Sequence, residues 1–129
     1  MTEREEMKTE QIRQSLHDFK RSVGKLRQLT PETVSGFAAM FTKIMQDGPV
    51  SLKTKELIAV AIAVAIRCEP CIRPHVKNCL ELGLTKEEIL DAASVAVVMG
   101  GGPAWTYVPV VLQAIEALQT SAPSDAGKP

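Results

Sequence analysis

Toward the N-terminus, apolar residues fall at Ile12, Leu16, Phe19, Val23 and Leu26, in alternating steps of four and three, with charges opposite. That is the period of one helix face, and it predicts an amphipathic helix over residues 8–28 that docks on something. Thr30-Pro31-Glu32 predicts a second start, with Thr as N-cap and Pro at the first helical position. This helix should reach about Gln46 and stop at Asp47-Gly48-Pro49. Ser51 then caps a third helix, expected from Leu52 to Arg67. Its interior, from Leu57 to Ile66, is apolar on every side. The alternation of Ala with Ile and Val also suits a buried strand, but the polar lead-in Lys53-Thr54-Lys55-Glu56 and the total length favour helix. A helix apolar all round must be covered all round, which predicts a partner subunit.

Pro70 belongs in the first turn of a fourth helix, running to Leu82 and ending at Gly83. Thr85-Lys86-Glu87-Glu88 is a capping box opening a fifth, carried by Ile89, Ala92, Ala93, Ala96 and Val97 to Met99. Gly100-Gly101-Gly102-Pro103 predicts a break before a last helix through Leu118. The Ser-, Pro-, Gly- and Asp-rich residues 120–129 predict a disordered tail. The expectation is an all-α protein, a compact and oligomeric bundle of about six helices. It divides into an N-terminal amphipathic helix over 1–29, a helical domain over 30–119 and the tail.

Composition narrows the partners. At 129 residues one domain is expected. Aromatics make up 4%, so the core must be built from Ala, Val, Ile, Leu and Met. Fifteen basic residues balance fifteen acidic ones, which argues against nucleic acid and acidic membranes as partners. The N-terminus carries charges of both signs and no apolar signal segment. The longest apolar run, Leu57 to Ile66, is about half a membrane span. A cytoplasmic location is expected, where thiols are kept reduced and a Cys-x-x-Cys is more often redox-active or metal-binding than a structural staple.

Such a pair is present: Cys68-Glu69-Pro70-Cys71, followed by His75 and preceded by Glu56. Near a helix start, free backbone N–H groups and the positive end of the dipole favour thiolates. Arg67 and Arg73 flank the pair and push the same way. His75 is one turn after Cys71 and could hydrogen-bond that sulfur, as in an activated nucleophile with Cys68 as resolving partner. Glu56 is less easily placed. In antiparallel helices it lies about 16 Å from the shared turn and His75 about 10 Å, so a contact needs a tilted crossing or an intervening water.

Metal is the rival reading, since Cys68, Cys71, His75 and Cys79 offer four donors. On one helix, however, Cys71 and Cys79 are about 12 Å apart along the axis, too far to share an ion. Cys79 reads instead as a small buried hydrophobe, and no metal or other cofactor is expected. The glycine run lacks the Lys-Ser/Thr of a phosphate loop and follows a helix, so it reads as a helix stop allowing close backbone approach. Trp105 and Tyr107 beyond it could line a substrate entrance, or belong to core or interface. The bland alternative for the whole constellation is two inert reduced cysteines in a bundle.

From about Thr30 to Leu118 the sequence resembles the carboxymuconolactone decarboxylase superfamily, in its alkylhydroperoxidase-D-like branch. The resemblance rests on Glu-x11-Cys-x2-Cys-x3-His, met by Glu56, Cys68, Cys71 and His75. It implies an all-α subunit assembling as trimers or hexamers. It further implies a thiol-dependent peroxidase, in which Cys71 attacks a hydroperoxide, Cys68 resolves it as a disulfide, and His75 and Glu56 relay the proton, partly through water. The reductant would be a dithiol of lipoyl or thioredoxin type. Some members have a histidine between the cysteines where this chain has Glu69-Pro70, which implies a weaker relay. Two alternatives stay open: a decarboxylase-type lactone-processing enzyme, and a non-catalytic, redox-sensing helical oligomer.

Overall fold

In a computed structural model, which describes residues 1–120, six helices follow one another: α1 (Glu3–Leu29), α2 (Pro31–Ile44), α3 (Leu52–Ala65), α4 (Glu69–Glu81), α5 (Lys86–Trp105) and α6 (Val108–Thr120). The all-α class expected from the sequence is what is found. The expected disordered tail lies outside the described residues, apart from Thr120, which closes α6.

Helix α1 starts five residues before its apolar stripe suggests. Thr2 and Glu5 form a reciprocal capping box, and Glu3, Glu5 and Glu6 sit at the positive end of the dipole. Only part of the stripe docks: Ile12, Leu16 and Val23 are half-buried, whereas Phe19 and Leu26 are exposed. Thr30 holds the expected N-cap position of α2, with Pro31 first in the helix, but its side chain makes no capping hydrogen bond there. Its hydroxyl donates to the Leu26 carbonyl at 3.0 Å, satisfying the end of α1 instead. Lys55 ties α2 to α3, its ammonium donating to the carbonyls of Ile44 and Gln46 at 2.8 Å each.

The end of α3 decides where the cysteines go. The helix stops at Ala65, two residues before the expected Arg67, in a Schellman motif. Cys68 N–H bonds to the Ala63 carbonyl and Arg67 N–H to that of Val64, with Arg67 left-handed at φ 58°. Cys68 is thereby both the end of one helix and the N-cap of the next. Helix α4 ends the same way around Gly83 at φ 85°, with Leu84 N–H on the Cys79 carbonyl.

The core gathers Val60 and Val64 of α3, Ile72, Val76 and Cys79 of α4, Ile89 of α5, and Val111 and Ile115 of α6. The opposite face of α3 stays uncovered, with Ile58, Ile62 and Ile66 all exposed. The expected break at the glycine run is present: Gly101 (φ 63°, ψ −149°) is non-helical and divides α5 into a longer segment and a short one that ends at Trp105. At Gly100 a Cβ would come within 2.8 Å of the Ala104 Cβ, so the run permits a close approach inside α5. The last helix begins only at Val108, and it leaves α5 at 98°. No single helix among the described residues is long and apolar enough to cross a membrane.

Candidate active site

The Schellman turn delivers Cys68 to the N-cap of α4 and places Cys71 one turn into it, with Pro70 where its missing N–H costs nothing. The two cysteines are joined as a disulfide, their Cα atoms 5.2 Å apart, within the usual span for such a bridge. Both are half-buried. Arg73 is not free to act on the thiols as expected, because its guanidinium pairs with Glu69 at 3.1 Å. Arg67 is exposed.

Glu56 and His75 meet directly. The His75 Nδ1 lies 2.6 Å from Glu56 Oε1, with no water required between them. The expected mismatch in level largely persists. Measured from Ala65 and Glu69, where the helices really end and start, Glu56 is about 14 Å from the turn, as is Asn78, and His75 about 9 Å. The carboxylate sits level with Asn78 and reaches down one turn to the histidine. Asn78 Nδ2 donates to the other oxygen, Oε2, at 3.1 Å. Glu56 is 4% exposed, and a buried carboxylate is tolerable because each oxygen has a donor. Asn78 was not singled out by the sequence, although its place three residues after His75 puts it on the same face.

A cavity of about 280 Å³ opens beside these groups. Cys71 and His75 border it from α4, Ala59, Ile62, Ala63 and Ile66 from α3 and its end, and Met40, Phe41, Ile44 and Met45 from α2 and its end. The Phe41 ring faces that of His75 at 6.1 Å between centroids. Cys68 does not border this space, nor do Trp105 and Tyr107. Of the two places open to them, Tyr107 takes the core, Trp105 is exposed, and the wall of this cavity comes from α2 instead. No periodicity in α2 announced this, since none of its residues is buried.

Cys79 lies two turns beyond Cys71, fully buried. Burial, then the nearby Glu56 carboxylate, pushes its thiol up from 9.0 to about 12. A thiol held protonated is a poor nucleophile, which confines exchange to Cys68 and Cys71. The raised value also sets a sign: the native state favours the neutral thiol, so its contribution is complete below the unfolded value and is lost as pH climbs from about 9 toward 12. Native protein should therefore leave Cys79 unlabelled by iodoacetamide near neutral pH, while urea exposes it. In alkaline solution Cys79→Ala should lose stability less steeply than wild type. Among the described residues no three His, Cys, Asp or Glu side chains are grouped so as to hold a metal ion.

The sequence model of the carboxymuconolactone decarboxylase family matches residues 31–117, which takes in every residue of this site. The chain belongs to that family. An uncharacterised protein of Cupriavidus necator is 33% identical over 110 residues, covering 85% of this chain and 97% of its own length. A family member from Legionella pneumophila, solved in its apo form, superposes with a TM-score of 0.81 at 37% identity, over 84% of this chain and 96% of that one. A Thermotoga maritima member, for which a part in the antioxidative response has been suggested, gives 0.68 at 25% identity, over 84% and 91%. Membership of a family does not by itself assign a chemistry. The site itself must therefore indicate it.

Proposed function

We propose that the protein is a thiol-dependent peroxidase that cycles between a Cys68/Cys71 dithiol and the disulfide seen in the structure. The observation that carries this reading is the asymmetry of the pair: Cys71 borders the apolar cavity together with His75, and Cys68 does not. The antioxidative role suggested for the Thermotoga relative points the same way.

In the reduced protein the positive end of α4 favours a thiolate at Cys71. His75, its Nδ1 held by Glu56, has Nε2 free to take the thiol proton. The Cys71 sulfur attacks a peroxide oxygen: an S–O bond forms, the O–O bond breaks, and the departing alkoxide takes a proton from the imidazolium to leave as an alcohol. Cys68 then attacks the sulfenic sulfur, forming the S–S bond and releasing water. An external dithiol, of lipoyl or thioredoxin type, returns two electrons and two protons. The test is turnover: an organic hydroperoxide should disappear catalytically with dihydrolipoamide present, one dithiol oxidised per hydroperoxide. Hydroperoxide that persists with every dithiol tried would sink the reading.

The same proposal includes a homo-oligomer. Phe37, Met40 and Ile44 of α2, Ile58 and Ile62 of α3, and Ile66 just beyond it are all exposed, an apolar face of the kind that a partner subunit covers. Light scattering should give a multiple of the chain mass, reduced by Ile62→Glu; a monomeric wild type would contradict it.

A further inference from the structure

The buried carboxylate of Glu56 is held from two sides, and only one of them belongs to the Cys-His constellation. Oε1 faces His75 Nδ1 at 2.6 Å and Oε2 faces Asn78 Nδ2 at 3.1 Å. The two partners are three residues apart on one face of α4, so the helix itself fixes their spacing. Asn78 is half-buried, and Glu56 is almost wholly buried, so water is a poor substitute for either donor.

We propose that Asn78 is a positioning residue: by holding Glu56 Oε2 it presents Oε1 to His75 Nδ1 and thereby selects the imidazole tautomer that can act as a base toward Cys71. A carboxylate only accepts, so the ring nitrogen facing it must carry the hydrogen. The neutral ring then has its lone pair on Nε2, the nitrogen not engaged by Glu56. Were the carboxylate free to rotate, Oε1 would leave Nδ1, and either nitrogen could carry the proton. The role is that of the outer partners that orient a metal-bound histidine from behind, transferred to a thiol site. Among the described residues, the side chains that hydrogen-bond to Glu56 are His75 and Asn78, both on α4, and the thiol of Cys79 on the same helix feels its charge. None of them is a competing charge donor that could replace the amide.

The inference rests on the dithiol reading of Cys71, but its first readout needs no hydroperoxide. In reduced, nitrogen-15-labelled protein at a pH where the ring is neutral, the His75 ring shifts should report the Nδ1–H tautomer. The other histidine, His17, is removed by His17→Gln to leave one imidazole. Asn78→Ala should shift the population toward Nε2–H and slow alkylation of Cys71 by iodoacetamide by about tenfold, the lower end of the range for such outer partners. Asn78→Gln, which keeps the amide donor, should restore both in part. Should Asn78→Ala not fold, Asn78→Leu refills the volume without the donor and carries the same readouts. An unchanged tautomer and an unchanged alkylation rate in the donor-less variant overturn the proposal and leave Asn78 as packing alone. A shifted tautomer in a protein that turns over no hydroperoxide would keep Asn78 in this role while removing the peroxidase.

Discussion

Cys71→Ser is expected to reduce hydroperoxide consumption to background, a loss of roughly 10³-fold or more, as when an enzymatic nucleophile is removed. The reason is local. Cys71 is the cysteine that borders the apolar cavity, and the imidazole one turn later borders the same space. A serine hydroxyl in that position stays protonated and offers no thiolate to the O–O bond. Cys68→Ser should behave differently. The attacking sulfur remains, so one turnover should still occur, leaving Cys71 as a sulfenic acid that a small thiol can reduce. Stopped-flow consumption of an organic hydroperoxide by the two variants separates these outcomes. Equal single-turnover rates in wild type and Cys71→Ser would remove Cys71 from the chemistry.

Glu56→Gln should lower the rate of hydroperoxide reduction by about 10²-fold or more, the scale of general acid–base assistance. The substitution keeps shape and volume, so the effect is chemical. Two donors, His75 Nδ1 and Asn78 Nδ2, converge on the carboxylate, and a carboxamide offers one oxygen and one NH₂ in its place. Whichever way it turns, the NH₂ meets a former donor. If it faces His75, the ring must carry its proton on Nε2 and loses its base toward Cys71. If it faces Asn78, that amide must turn over to accept through Oδ1, the carboxamide oxygen keeps Nδ1–H, and what is lost is the negative charge that steadies the imidazolium. The His75 ring shifts distinguish the two, and initial rates report the loss in either. A variant with wild-type rate would mean that the Glu56–His75 contact does not serve the chemistry.

Much of this site was visible in the order of residues. Helical spacing put Cys68, Cys71 and His75 on one face of α4, whereas Glu56, on α3, was named by the family resemblance, because spacing alone did not bring it to His75. Helix starts at Pro31, Ser51, Pro70 and Thr85 were legible for a local reason: caps and prolines act within one turn. What escaped were features set by a residue's conformation or by distant chain. Arg67 takes up a left-handed conformation that glycine usually marks, so the end of α3 was misplaced by two residues. The offset of about 5 Å between Glu56 and His75 persists even with the true helix ends. The reach of the two side chains across one turn, which axial arithmetic leaves out, closes it. The cavity walls from α2 are a tertiary matter, since Phe41 and Met45 lie far in sequence from Cys71. The exposed face of α3 shows the limit of the periodicity argument. An all-apolar helix does demand cover, but one chain supplies it on one side only.

The central claim is that Cys68 and Cys71 exchange two electrons with a hydroperoxide. It is tested most directly by counting thiols in fully reduced protein after one equivalent of cumene hydroperoxide. Two thiols per chain should disappear, one cumyl alcohol should form, and mass spectrometry should place the bridge between Cys68 and Cys71, with Cys79 still reduced. Hydroperoxide that vanishes while both thiols remain titratable, or thiols that remain while the hydroperoxide persists, would contradict it.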